Sequence, residues 1–275
     1  MFCYGALPFL TGLIAAKDVY PYYFRKVAAY YEAMVKNFPS YSFYWYYLAD
    51  AQAKAGMTDR VFLTGNKPFG EGSPFIDHIA LFVQEGHTKN VTKLPLAETA
   101  GYNPTIFLGD FTGDKTDDIC IVIDAGGSGG IIYANLFSYW NWKYHLIFDS
   151  ETFNATKGNY DVVYKDTYKV EVINRQLYTK YTIDIAYKGA DYLASIYDQG
   201  GKLIQPMTGE VGNIGGLYPI DYERDGIYDL TAAQNIMGQY QADRLGIVNT
   251  VLHWNGMAYI PIRQYVQIYG SKLQS

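Results

Sequence analysis

Two stretches of the sequence place oxygen-bearing side chains at alternate positions, a spacing that suits calcium. The first, GDFTGDKTDDICIVID, starts at Gly109, and the second, DYERDGIYDLTAAQ, starts at Asp221. Calcium takes six to eight oxygen ligands, which a loop supplies when its positions 1, 3, 5, 7 and 9 turn inward. The first loop then offers Asp110, Thr112, Asp114, the carbonyl of Thr116, and Asp118. The second loop offers Asp221, Glu223, Asp225, the carbonyl of Ile227, and Asp229.

An EF-hand and an ion-free acidic turn are the two other interpretations of these loops. An EF-hand needs a glutamate at position 12 and a helix on each side, but position 12 is Ile121 in the first loop and Ala232 in the second. An EF-hand is therefore rejected. Acidic turns without an ion are the remaining alternative, because Asp is favoured in turns. Several carboxylates within nine residues repel one another unless a cation or solvent offsets them, and the recurrence of the pattern favours a bound cation.

The segment GDFTGDKTDDI resembles the FG-GAP or VCBS-type repeat of integrin-α-like propellers. The resemblance implies side-chain ligands at positions 1, 3, 5 and 9, a backbone ligand at position 7, and an ion that stabilises the loop. The second loop has the expected glycine at position 6, Gly226, whereas the first has Lys115 there. If this position is left-handed, Lys115 costs about 1 kcal/mol. With its Tyr-rich beginning, the chain also resembles short VCBS-type proteins of spore-forming bacteria.

The composition limits the class of protein. The chain has 275 residues, 49% of them hydrophobic, and a net charge of -5. This charge argues against a nucleic-acid binder that needs a basic face. Tyrosine is in excess, with 29 residues, and it favours strands and interfaces because it joins an apolar ring to a polar tip.

The amino-terminal part, residues 1–57, is predicted to be an apolar, Tyr-rich segment with a helical hairpin. Residues 1–16 are almost wholly apolar but too short to cross a bilayer as a helix. They are interpreted as a contact segment, with a secretory signal as the alternative. In residues 18–56, Pro39 separates two helical patterns, and Gly56 suits the end of the second.

Residues 58–275 are predicted to form a β-repeat domain. Short apolar or alternating runs recur between Gly, Pro, Asn and Asp, a pattern typical of strands in an all-β fold. Asp110, Asp166 and Asp221 are nearly evenly spaced, which suggests a repeat. The predicted fold is mainly β, with propeller-like repeats of four-stranded antiparallel units.

Two further segments bear on catalysis and binding. Gly126–Gly130, GGSGG, matches a nucleophile elbow around Ser128, but the elbow needs a following helix, and the segment after it favours a strand. A hairpin turn is predicted instead, and a serine hydrolase is the least favoured alternative. Trp140 and Trp142 are two residues apart, so they are expected on one face of a strand, where they would stack on sugar rings or pack in the core.

Together these features predict a non-catalytic, calcium-stabilised structural protein, extracellular or at a cell or spore surface. It is expected to mediate self-assembly or adhesion, with copies of itself or other surface proteins as partners. The main alternative is a carbohydrate-binding module that uses Trp140 and Trp142 to bind a glycan.

Overall fold

A computed structural model describes residues 48–50, 59–85, 88–127 and 129–270. The chain divides into two compact units, Met1–Asn103 and Pro104–Ser275. The predicted boundary at residues 57–58 lies inside the first of them. The described part of the chain is mainly β, as the sequence predicts, and it contains no helix long and apolar enough to cross a membrane.

The described strands of the first unit form antiparallel pairs. Its strands are β1 (Leu48–Asp50), β2 (Arg60–Asn66), β3 (Phe75–Gln84), β4 (Val91–Leu94) and the start of β5 (Gly101–Gly109). The helical interpretation of residues 18–56 is wrong at β1, where Leu48 pairs with Phe62 of β2. The aromatic residues around Leu48 favour a strand whose backbone groups bond to a neighbour. The rest of the predicted hairpin lies outside the described residues.

The described part of the second unit continues with β5 and adds ten strands and four short helical segments. Its strands are β6 (Asp118–Asp124), β7 (Ile132–Trp140), β8 (Lys143–Asp149), β9 (Tyr160–Lys165), β10 (Lys169–Asn174), β11 (Thr179–Asp184), β12 (Thr208–Ile220), β13 (Asp229–Met237), β14 (Arg244–Trp254) and β15 (Tyr259–Gln267). Its helical segments are α1 (Ser150–Asn154), α2 (Ala190–Ala194) and two 3-10 helices, Ala155–Asn159 and Ala186–Lys188.

Strands β9 to β15 form one sheet in the order β11-β10-β9-β12-β13-β14-β15. The sheet is nearly closed and barrel-like, because its two outer strands meet: the hydroxyl of Tyr181 on β11 donates to the carbonyl of Gln264 on β15 at 3.0 Å. The prediction of four-stranded, propeller-like units is therefore wrong for this sheet. Alternation along each strand indicated sheet structure, but it carries no information about how many strands share one sheet.

The interior of this sheet is filled by one apolar cluster. Along β10 buried and half-buried residues alternate, so Val170 and Val172 point inward. They meet Ile236 of β13 and Val248 of β14, both fully buried. Period-2 alternation of this kind puts every second side chain on the core face.

A buried ion pair fastens the β13–β14 turn to the helical segment before β12. The side chain of Asp243 is 2% exposed and accepts hydrogen bonds from Lys188 Nζ at 2.7 Å and from Tyr192 Oη at 2.6 Å. The backbone N–H of Gln239 adds a third bond at 2.9 Å. Burial acts to raise the pKa of Asp243, but these three bonds and the nearby ammonium outweigh it, so the pKa lies below its usual range.

A second core lies between strands β6 to β8 and strands β12 to β14. Leu136 of β7 and Leu230 of β13 are both fully buried in it. Phe111, the second residue of the first acidic loop, is 1% exposed and belongs to the same cluster. This core therefore anchors the loop to the strands behind it.

Candidate metal centre

Both acidic loops connect neighbouring antiparallel strands. The first joins β5 to β6, with Asp118 as the first residue of β6, and the second joins β12 to β13, with Asp229 as the first residue of β13. Strands on both sides confirm that neither loop is an EF-hand, which needs helices there.

The two loops share a hydrogen-bond pattern around the carboxylate at position 1. The N–H of position 6 donates to that carboxylate in both, Lys115 N to Asp110 Oδ2 at 2.8 Å and Gly226 N to Asp221 Oδ2 at 3.0 Å. Asp110 also accepts bonds from the N–H groups of Thr112 and Gly113. The carboxylates at position 1 therefore hold the turns of their own loops.

The carboxylates at position 5 also accept equivalent hydrogen bonds in the two loops. The N–H of position 7 donates to them, Thr116 N to Asp114 Oδ1 at 2.8 Å and Ile227 N to Asp225 Oδ1 at 2.9 Å. Both loops therefore have the same register, position by position, as the sequence pattern predicts.

Positions 4 and 6 have left-handed backbone conformations in both loops. In the first loop Gly113 has φ 80° and Lys115 has φ 69°, and in the second Arg224 has φ 61° and Gly226 has φ 89°. Lys115 therefore meets the condition under which its side chain carries a conformational cost. Each loop has a glycine at only one of these two positions, position 4 in the first loop and position 6 in the second. The other left-handed position is occupied by Lys115 or Arg224, although glycine adopts this conformation more easily.

The loops lie against each other in the second unit. Asp110 and Ile227 form a parallel β-bridge, and the N–H of Tyr228 donates to the carbonyl of Asp110 at 2.8 Å. The Tyr228 ring covers Gly109, where an added Cβ would lie 2.9 Å from that ring. Nothing in the separate sequence patterns predicts this pairing.

Asp118, at position 9 of the first loop, is a buried carboxyl. It is 1% exposed, and its Oδ2 accepts a bond from the N–H of Phe111 at 2.9 Å. Burial, together with the neighbouring Asp114 and Asp110 carboxylates, raises the pKa of Asp118 to about 6, although the bond from the Phe111 N–H acts to lower it. A negative charge here is costly without a positive partner.

Thr112, at position 3 of the same loop, has a buried hydroxyl oxygen with no hydrogen-bond partner in the described part of the chain. A buried polar atom is normally satisfied by protein, water or an ion. Asp118 and the Thr112 hydroxyl are therefore the two features of the first loop that fit a bound cation. Within the described ranges, no group of three or more His, Cys, Asp or Glu side chains lies close enough to ligate a metal by itself.

The remaining predicted ligands are more exposed. Asp114, Thr116, Glu223 and Asp225 are exposed, whereas Asp221, Ile227 and Asp229 are half-buried. Asp229 has a side-chain partner, since its Oδ1 lies 2.9 Å from Nδ1 of His253 on β14.

Tyr259 of β15 is a neighbour of both loops that sequence reasoning missed. Its hydroxyl is buried without a partner among the described residues. Burial raises its pKa, and the charges of Asp118, Asp229 and Asp110 act in the same direction. The alternation of exposed and half-buried side chains along β15 could have suggested that the Tyr259 ring points inward. The sequence holds no signal that this ring lies near the acidic loops.

The two tryptophans do not share a strand face. Trp140 is the last residue of β7 and stacks on His145, with ring centroids 3.7 Å apart and planes at 8°. Trp142 lies in the β7–β8 turn with φ 64° and is 92% exposed. The expectation of one shared face is wrong because the chain turns between the two residues.

The glycine-rich segment is a hairpin connection between β6 and β7. Ala125 N donates to Ile131 O at 3.0 Å, and the flanking residues pair as antiparallel strands, with Asp124 opposite Ile132. The predicted strand after the segment is confirmed, and it occupies the place where a nucleophile elbow needs a helix. Ser128 itself lies outside the described residues.

These features define a mainly β protein in which a barrel-like sheet carries one of two paired acidic loops. The family of the YybI C-terminal domain matches residues 158–267, which include the whole barrel-like sheet and the second loop. A Bacillus subtilis (strain 168) protein described as "Uncharacterized protein YybI" is 46% identical over 218 residues, which are 79% of this chain and 82% of that protein. The chain belongs to the YybI family. No solved structure matches it.

Proposed function

We propose that this protein is a non-catalytic, calcium-stabilised structural protein of an extracellular, cell or spore surface, where it mediates self-assembly or adhesion. The observation that carries the proposal is the first loop, which combines a buried Asp118 carboxyl with a buried Thr112 hydroxyl that has no partner among the described residues. Both are hard oxygen donors, the type that calcium prefers.

In the first loop, the residues that would hold calcium are Asp110, Thr112, Asp114, Asp118 and the carbonyl of Thr116. The corresponding set in the second loop is Asp221, Glu223, Asp225, Asp229 and the carbonyl of Ile227. Bound calcium supplies positive charge that offsets the carboxylates. The protein's own contribution is the loop conformation, which the N–H bonds to Asp110 and Asp221 fix in advance.

The surface supports an assembly or adhesion role. Several large apolar or aromatic side chains are strongly exposed, among them Tyr178 at 94%, Met257 at 88% and Phe69 at 75%. Exposed side chains of this kind can contribute to contacts with another molecule. The resemblance to short proteins of spore-forming bacteria supports a spore or cell surface as the location.

Calcium titration and sedimentation test the two parts of this proposal. We expect calcium to bind to the full chain in isothermal titration calorimetry, and we expect sedimentation velocity to show larger species in calcium than in EGTA. Magnesium serves as the control, since it demands a tighter octahedral geometry. Absence of calcium binding would contradict the calcium site. A monomer in both calcium and EGTA would contradict calcium-dependent self-assembly.

Carbohydrate binding is the second candidate, favoured by the 92% exposure of Trp142 in the β7–β8 turn. An exposed ring can stack on the apolar face of a sugar. Glycan-array binding that Trp142→Ala abolishes would support it. The matched control is Tyr178→Ala, which removes an equally exposed ring from another turn.

A further inference from the structure

A half-open cavity of about 350 Å³ lies in the second unit, bordered by β8, the α1 region, β9, β10, β14 and β15. Small-molecule sites measure about 300–1,000 Å³ and combine an apolar lining with a few polar groups. The rings of Phe148, Phe153 and Tyr259 line this cavity together with Leu177 and Leu252. The cavity therefore has the size and the lining of a ligand site.

One wall of the cavity is a completed hydrogen-bond network centred on Gln264. Its Nε2 donates to Tyr160 Oη at 2.8 Å and to Thr250 Oγ1 at 2.9 Å. Its Oε1 accepts bonds from Thr179 Oγ1 at 3.3 Å and from Asn174 Nδ2 at 3.4 Å. This network fixes the wall in advance, and preformed walls reduce the entropy that is lost on binding.

Two hydroxyl groups that line the cavity remain free. Thr156 Oγ1 and Tyr259 Oη are both buried, and neither has a hydrogen-bond partner in the described part of the chain. Buried polar groups without partners are costly. A ligand with a polar atom within their reach would remove that cost.

The charge of the lining restricts the ligand further. Among the described residues that border the cavity there is no Lys, Arg or His, and the one acid is Asp149. The Asp149 carboxylate caps helix α1 by accepting a bond from Thr152 N at 2.7 Å. An anionic ligand would therefore find a carboxylate and no positive charge, and it would lose its hydration without compensation.

We propose that this cavity binds a neutral small molecule with a ring-sized apolar body and a hydroxyl or carbonyl group that bonds to Thr156 or Tyr259. The rings and aliphatic side chains receive the apolar body, and the free hydroxyls select its polar group. This inference goes beyond the proposed calcium-dependent role. No acidic-loop residue lines the cavity, but Tyr259 borders both the cavity and the loops, so binding is tested without calcium.

Three probes with one ring system separate these contributions: naphthalene, 2-naphthol and 2-naphthoate. Each is titrated into the full chain by isothermal titration calorimetry, in EGTA so that calcium plays no part. We expect 2-naphthol to bind about three- to tenfold more tightly than naphthalene, the gain from one hydrogen bond. We expect 2-naphthoate to bind more than about tenfold more weakly than 2-naphthol.

Two variants test the location. Leu177→Trp fills the cavity and should weaken 2-naphthol and naphthalene alike, whereas Tyr178→Trp, at the neighbouring 94% exposed position, should leave both unchanged. Thr156→Val removes one free hydroxyl and should reduce the preference for 2-naphthol over naphthalene. If Leu177→Trp lacks a cooperative melt, Thr156→Val and the order of the three probes decide the question.

Certain results would overturn the proposal. They are no binding of 2-naphthol, equal affinity for 2-naphthol and 2-naphthoate, or equal binding to the native chain and a folded Leu177→Trp variant. Loss of calcium binding together with retained 2-naphthol binding would contradict the proposed function but support the cavity proposal.

Discussion

The N–H of Tyr228 donates a hydrogen bond to the carbonyl of Asp110 at 2.8 Å. This bond joins the residue before position 9 of the second acidic loop to position 1 of the first. The two loops are distant in the chain, but in the second unit they lie side by side and are joined by backbone pairing. A change in one loop is therefore expected to affect the other.

The first prediction concerns Gly109, which allows the close approach of the two loops. Gly109→Ala should destabilise the second unit by about 1–3 kcal/mol, because the added Cβ would lie 2.9 Å from the rings of Phe107 and Tyr228. Chemical denaturation measures the change. Gly158→Ala is the control, since no atom lies within 4 Å of its added Cβ. Equal stability of both variants would contradict the tight packing at Gly109.

The second prediction concerns Lys115, whose φ of 69° suits glycine better. Lys115→Gly should raise the free energy of unfolding by about 0.5–1 kcal/mol because it relieves a left-handed side-chain conformation. Lys143→Gly, in strand β8, should lower it by a similar amount because glycine weakens a strand. Thermal melting of the three proteins gives the order, and a destabilised Lys115→Gly variant would refute the strain at this position.

The third prediction separates Thr112 from Thr116. Thr112→Val should weaken calcium binding about tenfold or more, because it removes a hydroxyl ligand that no described protein group satisfies. Thr116→Val is the matched control, because position 7 ligates through its carbonyl and keeps it. Calorimetric titration of calcium compares the two variants. Equal losses in both would exclude the Thr112 hydroxyl as a ligand.

The fourth prediction concerns the buried ion pair of Asp243. Asp243→Asn should cost about 3 kcal/mol of stability at neutral pH, because Lys188 is left without its carboxylate. Since the pKa of Asp243 is lowered on folding, its contribution is present above the unfolded pKa of about 3.9 and is lost as the pH falls through the folded value. The difference between native and variant should therefore shrink in acid.

The control for that prediction is Asp184→Asn, which breaks an exposed pair with Lys169. Exposed pairs contribute little, so its effect should stay within about 1 kcal/mol. Denaturant titrations compare each of the two variants with the native protein at neutral pH and at acidic pH. A constant difference between Asp243→Asn and the native protein across this pH range would contradict the linkage.

The sequence predicted the local features of this molecule better than its sheet architecture. Alternation in segments such as β10 identified strands correctly, because side-chain period is a local property. The common register of the two acidic loops followed from spacing, as the matching bonds from position 6 to position 1 confirm. Each of these features depends on a few consecutive residues.

The failures involve contacts between distant residues. The contact of Tyr181 with Gln264 that nearly closes the sheet and the pairing of Asp110 with Ile227 have no local signal. At Leu48–Asp50 a helical pattern gave way to strand pairing with β2, since tertiary contacts override local propensity. The cavity around Thr156 and Tyr259 likewise exists only after strands that are distant in the chain come together.

Differential scanning calorimetry of the full chain in calcium and in EGTA tests the central claim most directly. At a hundredfold excess over the dissociation constant, calcium should add about 2.7 kcal/mol to the stability and raise the melting temperature. Asp118→Asn should reduce this rise, because it removes the buried charged ligand. An identical melting temperature of the native protein in calcium and in EGTA would contradict calcium stabilisation.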